Sequence, residues 1–168
     1  MKGNIINNYN VQIPLPNNPN ITMPGQKFAT FTKQGSGVFV IDGQLQVPLG
    51  TVAEGGLVVT DSTNFVSTDS PTKWTINEKG FLAVQSLDNQ TAVDCIHTDS
   101  KGVLALTSNQ TTALELGTHQ NLIIGAWGNV TYGTLDTALG TVTDAEHGEV
   151  WRLGGGTGTL TVLFKLTG

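Results

Sequence analysis

At 168 residues the chain is long enough to close one hydrophobic core unaided, and its single cysteine, Cys95, excludes an intrachain disulfide framework. Charged residues make up 12%, about half the ordinary share, and polarity comes instead from Thr, Asn, Gln, Ser and Gly, a composition of strands and turns. Of the net charge of −5, residues 1–41 contribute only Lys2, Lys27 and Lys33, while the rest carries thirteen acids against five basic residues, which excludes a basic nucleic-acid footprint.

The chain begins "MKGNIINNYNVQIPLPNNPNITMPGQKF". Asn4, Asn7 and Asn8 interrupt any apolar stretch after Lys2, and no long apolar run follows. The expectation is cytoplasmic synthesis without a signal peptide and no membrane partner. Residues 1–26 hold Pro14, Pro16, Pro19 and Pro24, which keep the segment extended. They read as an N-terminal arm in front of a domain at 27–168. Val11, Ile13 and Leu15 share one side of an extended chain, and with Ile21 they supply more aliphatic surface than a linker needs. These four are the first candidates for a contact with neighbouring subunits.

Next comes "GVFVIDGQLQVPLG". Asp42-Gly43 between two apolar runs reads as a two-residue hairpin turn. That pairing would put Val38, Val40, Leu45 and Val47 on the core face. Phe39 and Ile41 would lie on the outer face, as further subunit-interface candidates. Strands follow in "EGGLVVTDS", "TKWTINEKGFLAVQS", "VDCIHTDSKGVLALTS", "TALELG", "NLIIGAWGNVTYGTL" and "EVWRLGGGTGTLTVLFKLTG". Only "TLDTAL" and "TDAEHGEV" offer a short helical turn.

Turn residues recur roughly every ten positions, the rhythm of an all-β sandwich or barrel. The expected fold is therefore a single antiparallel, jelly-roll-like sandwich or barrel, with a β-trefoil as runner-up. One echo stands out: "KGFLAVQS" and "KGVLALTS" repeat at an offset of 22 residues. Two copies read as return strands of two hairpins and fall short of the three units a solenoid needs.

Chemistry is sparse. No phosphate loop, nucleophile elbow or zinc-protease motif occurs, and "GGGTG" reads as a hairpin tip. Cys95, His97 and Asp99 alternate along what reads as one strand, a geometry that keeps thiol and imidazole apart. The loop "TDAEHGEV" gathers Asp144, Glu146, His147 and Glu149 without calcium-loop spacing. The expectation is no catalytic residue, no metal and no cofactor.

Two functions fit. The first is a structural protein of a larger assembly, a virion component of a bacterial virus such as a capsid decoration, minor capsid or fibre-associated protein. Its partners would be copies of itself and the capsid or fibre, reached through the arm. The second is a carbohydrate-binding module, with Trp127 and Tyr132 of "GAWGNVTYGTLD" stacking on a glycan.

Overall fold

A computed structural model describes residues 5–6, 10–15, 18–26, 30–63, 65–66, 72–135 and 141–163. The first strands are β1 (Ile5–Ile6), β2 (Asn10–Leu15), β3 (Asn18–Gln26), β4 (Thr30–Lys33) and β5 (Val38–Gln46). The long strands β6 (Leu49–Asp61) and β7 (Lys73–Val84) precede the short helix α1 (Asn89–Asp94). Then come β8 (Val103–Leu106), β9 (Ile123–Ala126), β10 (Asn129–Tyr132), β11 (Val142–Asp144) and β12 (Gly148–Val150). The last two are β13 (Leu153–Gly156) and β14 (Thr159–Val162).

Most described residues are in strands, as composition predicts, but the pairing overturns the expected antiparallel sandwich or barrel and the trefoil. The main sheet runs β1-β5-β6-β7-β8-β9-β13, every neighbouring pair is parallel, and β4 pairs with the first half of β6. Spatial order follows chain order. One row of register partners is Phe39, Leu57, Leu82, Leu104, Ile124 and Leu153, so successive turns advance by 18, 25, 22, 20 and 29 residues. Parallel neighbours need crossovers of about a dozen residues or more, which these intervals supply. The chain therefore winds as a stack of turns, a solenoid in which each turn packs mainly on the ones before and after it.

Two shorter files of parallel backbone pairing accompany the main sheet, the first over the early turns and the second over the later ones. One contains β4, the first halves of β6 and β7, and the Trp74–Ile96 bridge; the other contains the Gln110–Tyr132 bridge, β10 and β14. Between the files lies the core, with Ile41, Leu57, Val59, Trp74, Ile76, Leu82, Ile96 and Ala126 fully buried. Phe31, Phe65 and Trp74 form its aromatic end, with Phe31 and Phe65 each about 6 Å from Trp74, centre to centre (6.0 and 5.8 Å). A smaller apolar cluster of Val58, Phe81, Ala83 and Ala105 forms on the other face of the main sheet. With both faces buried, its strands read as unbroken apolar runs rather than alternation.

The echo at offset 22 is this stacking itself. Phe81 pairs with Val103 and Leu82 with Leu104. "KGFLAV" ends a continuous β7, so it is not the return strand of a hairpin.

Asp42-Gly43 is likewise no hairpin turn, because β5 continues through it. A bulge lies between Ile41, opposite Val59, and Gln44, opposite Asp61. Gly43 takes φ +149°, its N–H donates to Thr60 Oγ1 at 3.1 Å, and that hydroxyl donates to Ile41 O at 3.3 Å. The extra residue reverses the phase of the strand. Of the four residues expected on the core face, Val38 and Val40 are exposed, whereas Leu45 and Val47 are buried.

"TALELG", expected as a strand, is largely irregular, and "VDCIH" is the end of α1 and the turn after it. Asp88 caps α1, its Oδ1 accepting from Gln90 N at 3.0 Å and Thr91 N at 3.1 Å.

Candidate functional site

The most polar feature of the stack is the corner between the first file and the main sheet. Lys33 leaves β4 just before the turn "QGSG", and its side chain is buried. Its Nζ donates to Gly35 O, to Gly37 O at 2.5 Å and to Glu54 O at 2.9 Å. One ammonium thus ties the first turn to the second. Gly55, at φ +66°, allows this approach, because a Cβ there would lie 2.4 Å from Gly37 O and 2.6 Å from Lys33 Nζ.

Two open clefts lie on successive turns. One of about 380 Å³ is lined by Gln34, Gly35, Ala53, Glu54 and Lys79. Another of about 510 Å³ is lined by Thr98, Asp99, Lys101, Thr118, Gln120 and Asn121. Both are polar and open, and no group of three His, Cys, Asp or Glu side chains suited to a metal occurs among the described residues.

Cys95, His97 and Asp99 do not share a strand. Cys95 caps the C-terminus of α1 and is buried, and burial, the largest influence, pushes its thiol up to about 11. His97 is exposed and lies 3.6 Å from Asp99 Oδ2, while its Nδ1 accepts from Asp99 N at 3.2 Å. A protonated thiol at a helix end beside a surface turn is no nucleophile–base pair.

"TDAEHGEV" is the antiparallel hairpin β11–β12 rather than a helical turn. Its turn is organised by Asp144. Oδ1 accepts from His147 Nδ1 at 2.9 Å, Glu146 N at 3.0 Å and His147 N at 3.1 Å, and Oδ2 accepts from Arg152 at 2.6 Å. With four donors on its carboxylate, Asp144 acts as a turn anchor.

"GGGTG" is a corner, not a hairpin tip, since β13 and β14 each lie parallel on the turn beneath. Gly158 N donates to Ala126 O there at 2.9 Å.

Trp127 is half-buried and stacks on Phe81 at 6.1 Å. Tyr132 is 1% exposed and its hydroxyl accepts from Leu114 N at 3.0 Å. The two do not form a paired stacking platform, and Tyr132 has no face to offer a sugar.

Of the interface candidates, Ile41 is core, and Phe39 is half-buried and stacks on Phe31 at 6.3 Å. Neither presents an open face, because Phe39 is in register with Leu57 and Ile41 with Val59, both fully buried in the core. Val11, Ile13 and Leu15 lie in β2 and Ile21 in β3, which form a two-stranded antiparallel sheet of their own. Val11 pairs with Gly25 and Ile13 with Met23, so the register sets Val11, Ile13 and Met23 on one face of the ribbon, while Leu15 and Ile21 fall where the register shifts.

The residues missed from sequence are Lys33 and His119. His119, buried, spans two turns, with Nδ1 2.7 Å from Leu116 O and Nε2 3.0 Å from Ile96 O. A lysine running into a glycine-rich turn was the available sign for Lys33; His119 had none.

Compared with known proteins, the chain matches no family model, no curated protein and no solved structure.

Proposed function

We propose that this protein is a structural subunit of a larger assembly, in the first place a component of a bacterial virus particle, attached to its neighbours through residues 1–26. The observation that carries the reading is the β2–β3 ribbon, a two-stranded sheet that pairs with no other described strand and has three apolar positions, Val11, Ile13 and Met23, on one face. A two-stranded ribbon alone in water is marginally stable at best and gains most by laying its apolar face on another surface. Sparse charge adds to this, since a surface with few charges resists association weakly. The stacked turns add a stiff body suited to holding position. A sugar-binding role has less behind it, because Tyr132 is enclosed and Trp127 is packed on Phe81.

The test is mass analysis of purified particles from the source, with and without residues 2–24 in the chain. The full chain is expected at a fixed copy number and the shortened one absent from particles at equal expression. Retention of the full chain on a glycan matrix, with none in particles, would replace this reading with the sugar-binding one.

A further inference from the structure

We infer that Asp42 is a latent modification site, at which the chain rearranges to isoaspartate once unshielded, and that the Thr60 hydroxyl is the shield. The inference is independent of the assembly reading.

Asp42-Gly43 is the one Asp-Gly pair in the sequence, and Asn-Gly does not occur. In such a pair the following amide attacks the aspartyl carboxyl readily, because glycine has no Cβ to hinder ring closure. Gly43 N bonds to Cγ of the Asp42 carboxylic acid, its C–OH bond breaks, and the hydroxyl leaves as water with the amide proton. A cyclic succinimide results, and water reopens it. Attack at Cγ restores aspartate. Attack at the Asp42 backbone carbonyl breaks the original peptide bond and leaves the chain running through Cγ. Water is the only co-reactant, and the product has the mass of the starting chain.

The fold retains this labile pair. β5 bulges at Asp42-Gly43, and Gly43 takes φ +149°, a backbone conformation that side-chain-bearing residues rarely adopt. Asp42 is exposed, so water reaches its carboxyl. β6 meets the bulge with Thr60, which lies between Val59, opposite Ile41, and Asp61, opposite Gln44. Its Oγ1 accepts the Gly43 N–H at 3.1 Å and lies 3.3 Å from both Ile41 O and Asp42 Oδ1. One hydroxyl thus occupies the attacking amide and steadies the carboxyl it would attack. Ring closure has to wait until the bulge opens locally.

Its place in the stack gives the rearrangement a consequence. Isoaspartate adds one carbon to the backbone of β5, between the β6 register at Ile41 and the β1 register at Leu45 and Gln46. Rearrangement therefore weakens the joint between β1 and the first turn.

The experiment incubates the full-length chain natively and in urea, then maps position 42 with the protease Asp-N, which cuts before aspartate but not before isoaspartate. In the native wild type, isoaspartate is expected to form at least about tenfold more slowly than in urea. Thr60→Val keeps the shape and removes the hydroxyl, and is expected to form it at least about fivefold faster than native wild type. Thr60→Ser should stay near the wild-type rate. Asp99-Ser100, remote in the chain, is the internal control: acceleration at Asp42 alone separates a lost shield from a loosened molecule. If Thr60→Val fails to fold by circular dichroism, Asp42→Asn with Thr60 intact takes its place. Its mass gain on deamidation should likewise be at least about tenfold slower natively than in urea. Equal native and unfolded rates in either chain, a Thr60→Val rate no higher than wild type, or equal acceleration at Asp42 and Asp99 overturns the inference.

Discussion

Trp74 lies fully buried across Gly50, and a Cβ on that glycine would fall 2.3–2.5 Å from three atoms of its six-membered ring. Phe81 covers Gly56 in the same way, 2.1 Å from the Cβ position. The two rings differ in their freedom to yield. Trp74 is held between Phe31 and Phe65, whereas Phe81 is 9% exposed and backed by the half-buried Trp127. Gly50→Ala is therefore expected to cost about 3 kcal/mol or more, and Gly56→Ala about 1 kcal/mol, within the range for overpacking. Urea unfolding of both variants checks this, and the reverse order would mean the Trp74 site is the softer one. Cys95 gives a second test at this scale. A thiol at about 11 instead of 9.0 holds roughly a hundredfold less thiolate at neutral pH, before burial slows access further. Iodoacetamide should label Cys95 in urea at an ordinary rate and in the native protein at least about a hundredfold more slowly. Fast native labelling would put an open, reactive thiol at the end of α1.

The β11–β12 hairpin depends on one carboxylate. The His147 ring first, then the Glu146 and His147 amides, hold Asp144 down to about 2 from the ordinary 3.8. A carboxyl lowered on folding contributes stability that is complete above its unfolded value and is lost as the pH falls through its folded one. The hairpin should therefore hold above about pH 4 and loosen toward pH 2. Followed by NMR, the Glu146 and His147 amide shifts should titrate with a midpoint near 2, and Asp144→Asn should abolish the step. A midpoint at 3.8 would mean the turn makes no such bonds in solution. This hairpin also marks what the sequence disclosed and what it hid. Strand-rich composition, the position of most strands and the Asn/Pro-rich extended segment were legible from residue types alone. Parallel pairing was not, because Asp42-Gly43 serves a two-residue turn and a bulge equally well: both need a glycine at positive φ. The clue was in "GLVV", "FLAV", "VLAL" and "LIIGA", unbroken apolar runs that suit a sheet covered on both faces better than one with a wet side. Cys95-x-His97-x-Asp99 misled in a related way, since a polar cap at Asp88 starts a helix that alternation alone cannot reveal.

In the whole molecule each turn leans chiefly on its two neighbours, so stability should vary along the stack rather than appear at one value throughout. β7 has β6 on one side and β8 on the other, and Leu82 and Ala83 within it are fully buried. β13 is paired to β9 and β14 to β10, and their apolar residues are only half-buried. Opening the last turn breaks one interface and exposes side chains already partly wet, whereas opening β7 breaks two and exposes the centre of the core. Native-state hydrogen exchange should show β14 amides exchanging at least about tenfold faster than those of β7. Substitutions should respect the same geometry. Leu160→Ala should speed exchange in β13–β14 and leave β7 within error. Leu82→Ala, at a cost of about 2–5 kcal/mol, should raise exchange across every turn, because the stack is cut in the middle. Uniform protection from β6 to β14, or a Leu160→Ala effect that reaches β7 at full size, would mean that the turns unfold as one unit.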